Sequence, residues 1–194
     1  MQKLKIDSKG LKELIKTEGY RDQVYDDRTG KKVASYSQVS GYPTIGVGHL
    51  IRDSERDKYS KYLVGSKKMS KKEVMSLLSI DVERFEKSMR PKIKQPITQS
   101  MWNALVSLAF NAGAGSYAVR NAINAINIKD YDGAAKAILN GPTTSKGRKL
   151  EGLVKRRRAE AMMFLEDGLP KSGMGLGGFA LLASLGFAVS QVLL

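Results

Sequence analysis

Apolar residues recur at helical spacing over most of this chain, and one stretch near the N-terminus breaks the pattern. Leu11, Leu14 and Ile15 share one face of a short first helix, which Asp7 or Ser8 can cap and Gly19 can end. Residues 20–50 then change character: Tyr, Val, Ile, Thr, Gly and Asp accumulate, with turn signals at Asp27–Gly30 and Ser40–Pro43. That pattern predicts a small antiparallel sheet with strands near 24–26, 32–36 and 44–48. Helical periodicity returns from Ser54. Ser70-Lys71-Lys72-Glu73 is a capping box that opens a helix towards Arg90, and Pro91 and Pro96 interrupt the chain. Thr98 caps a strongly apolar helix through Met101, Trp102, Leu105, Leu108 and Ala109, expected to be the central buried one and to end near Gly113. Further helices are expected at 116–126, 130–139 and 151–167, and there is no internal repeat.

The expected class is α+β, mainly α: a short helix, a small antiparallel sheet lobe, then a larger helical lobe. Two unequal lobes make a cleft, the place where polymeric substrates lie. Residues 1–170 read as one folded domain; residues 171–194 read as a glycine-rich hinge followed by a hydrophobic C-terminal helix. A chain of 194 residues with 42% hydrophobic residues suits one domain with an appendage. Without cysteine there is neither a disulfide framework nor a thiolate metal site. The N-terminus lacks the apolar run and small-residue cleavage site of a signal peptide. A net charge of +14 attracts polyanions, from nucleic acid to anionic lipid and wall polymers. The basic residues are spread along the chain, and no zinc-finger spacing or RNA-binding aromatic motif accompanies them, so nucleic acid is not an expected partner.

Candidate chemistry concentrates between residues 18 and 49, in Glu18, Asp22, Asp26, Asp27, Thr44 and His49. A metal site is disfavoured by the single histidine and by the absence of HExxH or EF-hand spacing, and no cofactor is expected. Nucleophilic serine chemistry lacks its G-x-S-x-G elbow. A carboxylate pair acting on a glycosidic bond fits better. It needs one protonated acid and one ionised carboxylate in environments that separate their pKa values. Glu18 stands at the negative end of the first helix dipole, and partial burial there would also favour its neutral form. Asp26 and Asp27 lie in a polar turn. On spacing alone, such acids are most often solvated surface.

The strings Glu18-Gly19-Tyr20-Arg21, Tyr25-Asp26-Asp27 and Tyr42-Pro43-Thr44-Ile45-Gly46-Val47-Gly48-His49 resemble the phage-type lysozymes, glycoside hydrolase family 24. Segments at Ser79–Val82, Ala109–Gly113 and Gly152–Arg158 extend the resemblance across residues 4–167. It implies a lysozyme-like fold and a muramidase that cleaves between N-acetylmuramic acid and N-acetylglucosamine in peptidoglycan, with inversion. Glu18 matches the general acid, Asp27 the second carboxylate, and Thr44 the residue that positions the attacking water. Tyr42 and Asn111 match saccharide-binding positions. His49 pairs with Asp81 by the same analogy, as a structural ion pair or in proton transfer. Arg21 orients the acid's surroundings or packs structurally. Residues 30–41 look like an insertion that extends the hairpin, and they leave Asp26 open as an alternative to Asp27. The basic run Lys155–Arg158 reads mostly as a solvated helix face, with one arginine able to line the cleft.

No charged residue follows Lys171, and the chain closes on FALLASLGFAVSQVLL. Residues 173–194 can enter a membrane, pack on protein, or stay disordered. The first reading gives an enzyme made in the host cytoplasm that acts at the periplasm or wall as a monomer and touches anionic membrane through this segment. Alternatives of other classes are a virion-associated or membrane-disrupting lytic protein and a lytic transglycosylase.

Overall fold

The computed structural model describes residues 4–145 and 148–170. The segment 171–194, with the hinge and helix expected there, lies outside them. Among the described residues no helix is long and apolar enough to cross a membrane. Two compact units emerge: one is Leu11–Glu83, and the other combines the segment up to Gly10 with the chain from Arg84 onward.

The first unit carries the sheet. It is entered by helix α1 (Ser8–Glu18), capped by Asp7, whose Oδ1 accepts the N–H groups of Lys9 and Gly10, both at 2.9 Å. Leu11, Leu14 and Ile15 are buried, as their spacing requires. The helix stops where Gly19 takes φ +70° and returns its N–H to the Ile15 carbonyl at 2.9 Å. Strands β1 (Arg21–Asp26), β2 (Pro43–Gly46) and β3 (His49–Leu50) follow in antiparallel order, with Tyr25 opposite Thr44 and Ile45 opposite His49. A short helix α2 (Arg56–Ser60) leads to α3 (Lys71–Met89). The capping box forms as its sequence predicts: Ser70 N–H donates to Glu73 Oε2 at 2.7 Å and Glu73 N–H donates to Ser70 Oγ at 3.2 Å.

The strand expected at 32–36 does not form, and residues 30–41 do not extend the hairpin. Lys32 makes one isolated bridge to Tyr25. Val33, buried, is pinned by its N–H to the Val24 carbonyl at 3.0 Å, and its own carbonyl takes the Val64 N–H at 2.9 Å. Ser35 then caps a single 3-10 turn, Tyr36–Gln38. The segment becomes a loop because its backbone donors are engaged elsewhere, as the site geometry shows. The strand expected at 44–48 is β2, and β3 at His49–Leu50 lies beyond the expected spans.

The second unit is built from α4 (Gln99–Ala112), α5 (Tyr117–Asn127), α6 (Tyr131–Leu139) and α7 (Glu151–Leu165), the first three capped by Thr98, Ser116 and Asp130. Every residue from Ser100 to Ala109 is buried, so α4 is the central helix its uniform apolarity predicts. Helix α7 packs on α4 and α6. A two-residue ladder, β4 (Thr144–Ser145) with β5 (Arg148–Lys149), precedes it and is too short to leave a hydrophobic period in the sequence.

The basic run on α7 is not a solvated face. Arg156 and Arg157 are buried, the latter fully, around the equally buried Glu160. Glu160 Oε1 accepts from Ser107 Oγ at 2.8 Å, Arg156 Nε at 3.0 Å and Arg157 Nη2 at 3.0 Å. Burial pushes the Glu160 carboxyl above its ordinary value, against the opposing pull of the two guanidiniums. Removing this carboxylate takes a shared buried anion from two buried cations. Glu160→Ala is therefore expected to lose about 3–5 kcal/mol of stability in a urea titration, while Lys155→Ala, at an exposed position of the same run, shifts the midpoint little.

Candidate active site

Glu18 is the last residue of α1 and is exposed; the partial burial expected for it is not found. The turn at Gly19 leads directly into β1, where the Arg21 guanidinium stacks 5.7 Å from the centre of the Tyr25 ring. Glu18 thus precedes the sheet and Asp27 follows its first strand, both within the Leu11–Glu83 unit.

At the far end of β1 two adjacent aspartates meet opposite environments. Asp26 is 2% exposed. Its carboxylate accepts from Ser40 Oγ at 2.7 Å, Gly41 N–H at 2.9 Å, Arg28 N–H at 3.1 Å, Ser40 N–H at 3.2 Å and Thr29 Oγ1 at 3.2 Å. Five donors satisfy an ionised carboxylate. The Ser40 hydroxyl bond and the backbone N–H bonds hold this carboxyl far below the usual carboxylate range, overcoming its burial. The loop pays for this contact in shape: a Cβ on Gly41 would lie 2.2 Å from Asp27 Oδ1 and 2.8 Å from Asp26 Oδ1, so only glycine fits.

Asp27, next in sequence, is exposed. Its N–H donates to the Tyr42 carbonyl at 3.1 Å, and its Oδ1 accepts the Tyr42 N–H at 2.6 Å. Thr44, 5% exposed on β2, donates its hydroxyl to the same Tyr42 carbonyl at 3.1 Å. The Tyr42 backbone therefore joins Asp27 to Thr44, while the Tyr42 side chain stands 63% exposed. This joint was not legible in the sequence, because any residue supplies a backbone.

His49 and Asp81 come together, with Nδ1 and Oδ1 2.8 Å apart. Glu55, which sequence reasoning passed over, places Oε1 3.6 Å from His49 Nε2, and the Tyr59 ring lies 5.3 Å away. These contacts tie β3 to α2 and α3 inside the same unit. Asn111 belongs to the other unit, exposed near the end of α4, where its Oδ1 accepts from Arg157 Nη2 at 2.9 Å. A guanidinium is only a donor, so this contact fixes the amide orientation and leaves Nδ2 to donate elsewhere. Among the described residues no three His, Asp or Glu side chains gather to hold a metal ion.

One unit thus carries an exposed glutamate at a helix end and an exposed aspartate braced beside a hydroxyl, two carboxyls with a hydroxyl. That is the equipment of glycosidic hydrolysis. The comparisons agree with it. The phage lysozyme family model matches residues 15–160. The endolysin of Salmonella phage P22 is 32% identical over 136 residues, covering 70% of this chain and 88% of that protein. A solved P22 lysozyme mutant is similar with TM-score 0.63 and 30% identity, over 84% of this chain and 99% of that one. The endolysin from Escherichia coli O157:H7 phage FAHEc1 is similar with TM-score 0.59 and 30% identity, over 88% and 98%. These define a cell-wall glycosidase. The chain belongs to the phage lysozyme family.

The Asp26 contacts carry a pH signature. Its folded pKa is depressed, so its contribution is fully present above the unfolded value of about 4 and fades as pH falls towards the folded value. Thermal melts of Asp26→Asn against the parent chain are expected to show a lower Tm at pH 6 and a gap that narrows steadily below pH 4. A gap independent of pH would assign the loss to something other than the ionised carboxylate.

Proposed function

We propose that Glu18 is the general acid and Asp27 the general base of an inverting hydrolysis of the β-1,4 bond between N-acetylmuramic acid and N-acetylglucosamine. The observation that supports it is the contrast at the end of β1. Asp26 is buried and saturated by five donors, whereas Asp27 is exposed with only Oδ1 engaged among the described residues. A base must meet water, and of the two only Asp27 does.

In this reading Asp27 and the Thr44 hydroxyl oxygen hold a water against the anomeric carbon. The water oxygen forms the new C–O bond as its proton passes to Asp27. The old glycosidic bond breaks, its electron pair goes to the leaving oxygen, and Glu18 protonates that oxygen. The exposed Tyr42 ring and the Asn111 Nδ2 group are saccharide contacts. Residues 1–170 form the catalytic domain, acting as a monomer. Residues 173–194, uncharged and apolar, contact anionic membrane with the help of the +14 net charge. From the host cytoplasm the enzyme reaches the wall through a phage-made membrane lesion, or it arrives with the virion.

Glu18→Gln is expected to lower turnover of purified walls by about 10²–10⁴-fold with an unchanged melting curve. Proton spectra recorded in the first minutes of wild-type reaction should show the α-anomer of the new reducing end. An anhydro product would instead indicate transglycosylation, and full activity of Glu18→Gln would remove the acid role. For the tail, co-sedimentation with phosphatidylglycerol vesicles should weaken when Leu181 and Leu182 become glutamate; equal binding would exclude the membrane contact.

A further inference from the structure

The second unit contains a cavity of about 280 Å³ that the hydrolytic chemistry does not use. Its walls are Leu4, Ile93, Pro96, Ile97 and Trp102, with Arg90 at one side. The polar groups around it already have partners. Arg90 Nη1 donates to the Leu4 carbonyl at 2.5 Å, and the guanidinium lies 5.0 Å from the centre of the Trp102 ring. Trp102 Nε1 donates to the buried Glu86 Oε1 at 3.0 Å. Tyr131 donates its hydroxyl to the Pro96 carbonyl at 2.9 Å, and Gln95 Nε2 donates to the Asn127 carbonyl at 3.4 Å. A saccharide, which must replace its lost water with hydrogen bonds, finds little here. The cavity suits an uncharged, apolar occupant of a few side chains.

The described end of the chain is fixed three residues from the cavity wall. Just past α7, Asp167 is held against the start of α4: Ser100 N–H donates to Asp167 Oδ2 at 2.9 Å, and Asp167 N–H donates to Ser100 Oγ at 3.3 Å. Ile97, on the cavity wall, is three residues before Ser100. Lys9 pairs with Glu166 beside it, so the end of α7 is fastened from two sides. Residues 171–194 continue from this point and carry no charge after Lys171. The eight residues between Pro170 and Phe179 can reach about 30 Å, far more than the step from Asp167 to Ile97 requires.

We infer that the apolar segment from Phe179 onward docks into this cavity in water, in the same chain, and that the cavity is its storage site when no membrane is present. The inference does not depend on the catalytic assignment, which Glu18→Gln tests separately. Trp102 is the only tryptophan in the sequence, so its emission reports the cavity directly. Two full-length variants test it: Phe179→Glu with Leu182→Glu in the tail, and Ile97→Glu on the cavity wall, each with its far-ultraviolet circular dichroism matched to the parent. Both are expected to shift Trp102 emission to the red and raise its quenching by acrylamide, and the combined variant should add nothing further. Emission and quenching unchanged in the tail variant would overturn the proposal. A parent signal that changes on dilution would also overturn it, because it would assign the occupant to a second copy.

Discussion

The carboxylate of Asp26 organises the end of the sheet where β1 passes into β2. Five donors from Arg28, Thr29, Ser40 and Gly41 converge on it, and they come from both ends of the loop that joins β1 to β2. An ionised group buried this deeply is tolerable only when its lone pairs are filled, so the loop must keep the shape that fills them. That shape presses Gly41 against both aspartates and turns the Tyr42 backbone towards Asp27. Removing the charge would loosen the loop and cost stability, while the Asp27 brace, made with the Tyr42 backbone, does not itself use Asp26.

Two neighbouring aspartates therefore divide the labour. One is consumed by structure, with its proton held off by hydrogen bonds. The other is left exposed, anchored through Oδ1 and through its own N–H to a single residue. Thr44 joins the Tyr42 carbonyl from the adjacent strand, which fixes the Asp27 carboxylate and the Thr44 hydroxyl relative to each other through backbone. Glu18 is placed by a different device, a helix stopped by glycine in the left-handed conformation. Both devices lie within one compact unit, so Glu18, Asp27 and Thr44 share a scaffold.

Much of this was legible in advance. Caps at Asp7, Ser70 and Thr98 mark helix starts because their side chains satisfy N–H groups that a helix leaves open. The buried length of α4 followed from its uniform apolarity. Residues 32–36 misled because Val33 and its neighbours alternate like a strand, while the decisive partner of the following residues is a carboxylate upstream. Side-chain capture of backbone N–H groups competes with ladder formation and leaves no period. Arg156 and Arg157 misled for the opposite reason: a run of basic residues signals solvent, and only Glu160 one turn later, with Ser107 and Asn111 on α4, reveals a buried cluster. The contrast in burial between Asp26 and Asp27 needed coordinates, because sequence places both in the same polar turn.

The most direct test of the account compares the two aspartates in one assay. Asp27→Asn and Asp26→Asn, each measured by initial rate on purified peptidoglycan at a temperature where circular dichroism shows both fully folded, should differ sharply. The account predicts that Asp27→Asn loses nearly all turnover while Asp26→Asn keeps a substantial part of it. The reverse order, with Asp27→Asn active and Asp26→Asn inert though folded, would contradict it.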